Sequence, residues 1–134
     1  MIDLLLAVCL YSYNAEACRQ ATIVNYAYKT AEVHQIDPNK FLMLVSCESR
    51  FNENAKGDYR IEEDRFMARG ILQFWPSTFR NYSKLYGTKG AYTDPFTQID
   101  LALKIITEDK KGWRHWYNCG KAVGFAETKH LTLK

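Results

Sequence analysis

Apolar residues recur at three- and four-residue steps over much of this chain, the spacing of one buried helix face. Ala17, Ala21, Val24, Tyr28 and Ala31 form the first stripe and predict a helix ending near Ile36. Asp37-Pro38 is a helix start, with Asp as N-cap and Pro in the first turn. The helix it opens turns Phe41, Leu42, Leu44 and Val45 inward. Residues 52–65 are polar and charged and read as a loop. Gly70-Ile71-Leu72-Gln73-Phe74 reads as a short helix, and Pro76-Ser77-Thr78 opens another that Gly87 stops. Asp94-Pro95 repeats the Asp-Pro start ahead of Phe96, Ile99, Leu103 and Ile106, a stripe that Gly112 closes. The aromatic tail from Trp113 to Gly120 reads as irregular. No alternating run supports a large sheet, although the 55–69 loop has room for a short β-hairpin. The pattern predicts a mainly α fold.

The chain has 134 residues, enough for one domain with a sizeable core. Hydrophobic residues make up 47% and charged residues 25%, a globular balance that argues against disorder. Lys and Arg number 18 against 15 Asp and Glu, scattered among one another rather than gathered in a basic stripe. No nucleic-acid partner is therefore expected. The apolar run Leu4 to Leu10 is too short for a stable membrane span. Ala15-Glu16-Ala17 has the A-x-A form of a leader cleavage site, yet Asp3 stands where a basic residue belongs. Residues 1–17 thus read equally as a signal peptide or as an N-terminal helix, ahead of a single domain at 18–134.

Cys9, Cys18, Cys47 and Cys119 fit no zinc spacing; either they are reduced and buried or some pair outside the cytoplasm. His34, His115 and His130 show no ligand spacing either and read as surface or packing residues. Asn52-x-Asn54-x-Lys56-Gly57 followed by Glu63 has the spacing of a calcium loop, but Lys56 occupies a ligand position and would repel the ion. No metal and no cofactor are expected.

Glu48 is the candidate for chemistry. Leu44 and Val45 precede it by four and three residues, which places it on the apolar face of its helix. Burial without a cation disfavours the charged carboxylate and raises its pKa, as a general acid requires. The bland alternative is a helix-end Glu that turns to solvent or pairs with Arg50.

The surroundings favour the sharper reading. Glu48-Ser49-x-Phe51-Asn52-x-x-Ala55 is followed by Ala68-x-Gly70-Ile71-Leu72-Gln73 and then by Pro76-Ser77-Thr78-Phe79. Trp116-Tyr117-Asn118-Cys119-Gly120 and Asp94-Pro-Phe-x-x-Ile99 come later. Together these blocks resemble the soluble lytic transglycosylase family from about Asp37 to Gly120. The chain departs from the family pattern in a longer loop between Ala55 and Ala68, in Trp116 and Cys119 for alanines, and in Gln98 for the usual Asn.

The resemblance implies a lysozyme-like helical fold and cleavage of the β-1,4 bond between N-acetylmuramic acid and N-acetylglucosamine in peptidoglycan. It implies Glu48 as the catalytic acid and base, with a 1,6-anhydro product. Ser49, Gln73, Phe74, Tyr117 and Asn118 would contact substrate, Tyr117 reaching towards the Glu48 carboxyl. Trp75 or Trp116 would line the groove with an aromatic face. If the fold holds, Cys47 and Cys119 approach closely enough for a disulfide, the alternative being two buried thiols. A second bond between Cys9 and Cys18 requires that the leader be retained. The expected partner is the glycan strand, met by a monomer in an extracytoplasmic or phage-delivered setting. Asp58, Glu62, Glu63 and Asp64 keep a hydrolytic lysozyme as the alternative, since one of them could position water. A non-catalytic cell-wall-binding domain is the other, disfavoured because binding needs no carboxyl on an apolar face.

Overall fold

The structure is a computed structural model and describes Ala7, Cys9 and residues 14–125. The rest of the candidate leader, and His130, lie outside the described residues.

Helix α1 runs over Ala15–Val33. The Asn14 side chain caps it, accepting from the backbone of Glu16 and Ala17. Its deepest residues are Ala21, Ile23, Ala27 and Ala31, while the expected Ala17, Val24 and Tyr28 are only half-buried. The three buried alanines let two neighbours approach, and so widen the buried arc beyond a single stripe. Helix α2 spans Pro38–Ser49, with the Asp37 carboxylate accepting from the backbone of Asn39 and Lys40. Both Asp-Pro starts form as expected: Asp94 accepts from the Thr97 backbone and opens α4, Pro95–Glu108.

Helix α4 is the spine of the core. Ile99, Leu101, Ala102, Leu103 and Ile105 are all fully buried, so it is apolar almost all round. Helix α1 packs on α4 and on α2, and α3, Pro76–Tyr86, packs on α4 from elsewhere. Strands β1, Lys56–Arg60, and β2, Arg65–Arg69, form the short hairpin for which the 55–69 loop had room. They pair antiparallel with Tyr59 opposite Phe66 and Gly57 opposite Ala68.

Two segments differ from the sequence reading. Residues 70–74 form a tight turn rather than a short helix, because Gly70 and Gln73 both take left-handed backbone angles, φ 85° and 49°. The tail after α4 is regular rather than irregular: a 3₁₀ helix over Gly112–Trp116 leads into α5, Tyr117–Ala122. Trp113 and Trp116 stand three apart, share one face of that 3₁₀ turn, and are both buried in the core.

Two disulfides close the molecule: Cys47–Cys119, with Cα atoms 5.7 Å apart, and Cys9–Cys18, at 4.6 Å. Among the described residues no helix is long and apolar enough to cross a membrane.

Candidate active site

Glu48 sits in the last turn of α2, half-buried, one turn above the buried Leu44 and Val45. Among the described residues its carboxyl takes no hydrogen bond and no ion pair. Arg50, the cation nearest in sequence, leaves the helix in a left-handed conformation and is exposed. Burial alone therefore acts on the carboxyl and pushes its pKa from 4.5 up to about 7. A carboxyl with that pKa is protonated in a large fraction of molecules near neutral pH, yet gives up the proton readily.

Cys47 and Ser49 flank it. The Cys47–Cys119 bond ties the end of α2 to α5. The Ser49 hydroxyl donates to the Val45 carbonyl at 3.3 Å, so it bonds back into its own helix.

The turn at 69–74 is the second element of the site. It satisfies only part of its own backbone, the Arg69 N–H donating to the Phe74 carbonyl at 3.1 Å and the Gln73 N–H to the Gly70 carbonyl at 3.2 Å, and further polar groups arrive from three directions. The Gln98 side chain, fully buried on α4, accepts from the Leu72 N–H at 3.0 Å and donates to the carbonyls of Arg69 at 3.0 Å and Tyr92 at 2.8 Å. The Trp116 indole N–H donates to the Leu72 carbonyl at 2.7 Å, and the Tyr92 hydroxyl donates to the Phe74 carbonyl. Glycine at 70 is required twice, by its left-handed angle and because a Cβ would run into the Gln98 amide.

Gln73 projects from this turn, half-buried. Its amide nitrogen donates to the carbonyls of Gly70 at 2.8 Å and Ala55 at 3.2 Å. Its Oε1 lies over Gly57, where a Cβ would collide with it. The amide N–H groups are thereby spent on backbone, and the amide oxygen is the acceptor that remains.

The other expected contact residues fall in different places. Tyr117 is 52% exposed at the start of α5 and stacks on Trp113, with ring centroids 5.9 Å apart. Among the described residues no hydrogen bond links it to Glu48. Asn118 is exposed on the first turn of α5, part of a helix rather than a loop. Phe74 does not offer its ring to a substrate: it is 3% exposed, edge-on to Phe79 and Trp116 at 5.8 and 5.4 Å. Trp116 is likewise a core residue and does not line a groove. Trp75 is half-buried beneath the Arg60 guanidinium, 4.9 Å from the ring centre.

The hairpin acids are engaged locally. Asp58 pairs with Arg60 at 3.5 Å, Glu63 with Arg65 at 2.7 Å, and Asp64 accepts from the Tyr59 hydroxyl. Glu62 is exposed on the turn. Among the described residues no cluster of three or more His, Cys, Asp or Glu forms that could hold a metal ion.

The sequence marks Gln98 only as a departure from the family pattern; its role, Tyr92 and the structural use of the Trp116 N–H emerge only from the structure. Gln98 carried a signal, since it shares the 98, 101, 105 spacing of a buried helix face. Tyr92 carried none, because its partner is a backbone carbonyl 18 residues away.

A family model described as Transglycosylase SLT domain matches residues 25–123. No curated protein and no solved structure matches the chain.

Proposed function

The chain belongs to the transglycosylase SLT domain family, and we propose that it cleaves the muramic acid–glucosamine β-1,4 bond with Glu48 as sole acid and base. A lysozyme-like helical fold and action on peptidoglycan come with that membership. The observation that carries the finer reading is the Glu48 carboxyl, half-buried, without a partner among the described residues and raised to a pKa of about 7.

In its protonated form Glu48 donates to the glycosidic oxygen as the bond to the muramic C1 breaks. The N-acetyl group of the same sugar stabilises C1 from the opposite face. The Glu48 carboxylate then takes the proton of the muramic C6 hydroxyl, and O6 closes on C1 to give the 1,6-anhydro ring. The proton lost in the first step is recovered in the second, so one carboxyl serves both steps without added water. The local pairing of Asp58, Glu63 and Asp64 supports a route without a second acid. Gln73 supplies an amide oxygen to the substrate, and exposed Tyr117 and Asn118 line its path; Ser49 acts by steadying the end of α2.

The disulfides support an extracytoplasmic setting, where such bonds persist. The protein works there as a monomer on glycan strands.

Mass spectrometry of purified peptidoglycan digested by the wild type and by Glu48→Gln tests the proposal. The expected result is anhydro-muramyl products from the wild type and none from the variant. Reducing-end muropeptides from the wild type would replace the reading with hydrolysis. Undiminished activity in the variant would remove Glu48 from the mechanism.

A further inference from the structure

Helix α2 ends in an unusual way immediately after Glu48. Arg50 and Phe51, neither a glycine, are consecutively left-handed, with φ 54° and 60°. One such residue is a common helix end; two in a row persist only where the surroundings impose them.

The N-terminal half of α1 supplies those constraints. The Gln20 amide donates to the Arg50 carbonyl at 3.3 Å. The Arg19 guanidinium makes a two-point pair with Glu53, at 3.1 and 3.2 Å, and lies 5.1 Å from the centre of the Phe96 ring on α4. Cys18, the residue before Arg19, is bonded to Cys9. Phe51 packs half-buried against the core. All of these α1 residues precede the segment 25–123 that the family model matches, so the match says nothing of them.

We propose that Gln20 and Arg19 are positioning residues for Glu48, forming a strap from α1 that holds the 50–53 turn and thereby the last turn of α2. The strap acts on the same helix end as the Cys47–Cys119 bond. That bond fixes one side of the α2 terminus, and Gln20 and Arg19 fix the chain as it leaves. The inference rests on the reading of Glu48 as acid and base.

The test uses four variants of the full chain with disulfides intact, assayed on soluble uncrosslinked glycan strands. Gln20→Glu keeps shape and removes the donor to the Arg50 carbonyl; Gln20→Arg keeps a donor; Glu48→Gln is the control. Thermal melts establish that each is folded at the assay temperature. The expected result is a roughly ten-fold lower kcat with little change in KM for Gln20→Glu, and near wild-type kcat for Gln20→Arg. Arg19→Ala should show the same kcat-against-KM split. A Gln20→Glu that lowers only the melting temperature, at unchanged kcat, overturns the strap as a positioning device. Activity surviving in Glu48→Gln overturns the underlying reading instead, so the two failures are distinguishable.

Discussion

Replacing Glu48 with Gln should make the protein more stable at neutral and alkaline pH, and the gain should vanish in acid. The carboxyl has a pKa of about 7 when folded and 4.5 as its ordinary value. Between those two values the folded state binds more protons than the unfolded state. Stability therefore falls as pH rises through that window, and the full loss is present above about pH 7. A shift of about 2.5 units at about 1.36 kcal/mol per unit gives about 3.4 kcal/mol. The carboxyl keeps some contact with water, which screens it, so the loss to expect is about 2–3 kcal/mol. Gln fills nearly the same volume and has no charge to desolvate.

Urea unfolding of both proteins at pH 4.5, 6 and 8.5, without reductant, measures the effect. The variant's advantage should grow by about 2–3 kcal/mol between the lowest and highest pH, or roughly 8 °C in melting temperature. Comparing the two proteins cancels the other groups that titrate in the same range, including His34 and His115, both lowered by burial. Parallel stability curves, with the difference constant to within about 0.5 kcal/mol, would refute the argument that desolvation governs this carboxyl.

Three further outcomes follow from the same contacts. Gln98→Leu leaves the Leu72 N–H and the Arg69 carbonyl unpaired in the core and should cost about 3–5 kcal/mol, read as a lower urea midpoint at constant slope. Gly57→Ala drives a methyl against the Gln73 amide oxygen and should cost about 1–2 kcal/mol together with most of the activity. Adding Gln73→Ala should then recover most of that stability without the activity, which a double-mutant cycle measures. Cys47→Ser with Cys119→Ser opens a link across 72 residues and should cost about 4 kcal/mol, seen as a fall in melting temperature measured without reductant, which keeps Cys9–Cys18 closed.

What could be read from the sequence was whatever depends on near neighbours. Asp37-Pro38 and Asp94-Pro95 start helices because a carboxylate two or three residues away caps the N–H groups, and no tertiary contact is needed. The burial of Glu48 followed from Leu44 and Val45 for the same reason. The turn at 70–74 misled because its apolar residues, Ile71, Leu72 and Phe74, suit a helix, and the partners that hold it otherwise lie elsewhere in the chain. Leu72 is bonded by Gln98, 26 residues on, and by Trp116, 44 residues on. The aromatic residues misled in the opposite sense: without their distant partners in view, Trp116 read as a lining of the groove and Phe74 as a substrate contact.

Gln98 shows how some of this could still have been extracted. It is a polar residue on a helix whose deep positions are otherwise apolar except for Thr97 beside it, and a buried amide without partners costs more than any local gain could offset. Such a residue implies a segment nearby whose backbone is left unpaired. The Gly70-to-Gln73 turn, with two left-handed residues and no ladder or helix of its own, is that segment. Gln98 holds the turn and the turn carries Gln73, whose amide reaches back to Ala55 in the chain that leaves Glu48. A buried glutamine on the central helix is thus joined by hydrogen bonds and a short stretch of backbone to the Glu48 carboxyl. The large loss expected for Gln98→Leu should therefore appear in activity as well as in the urea midpoint.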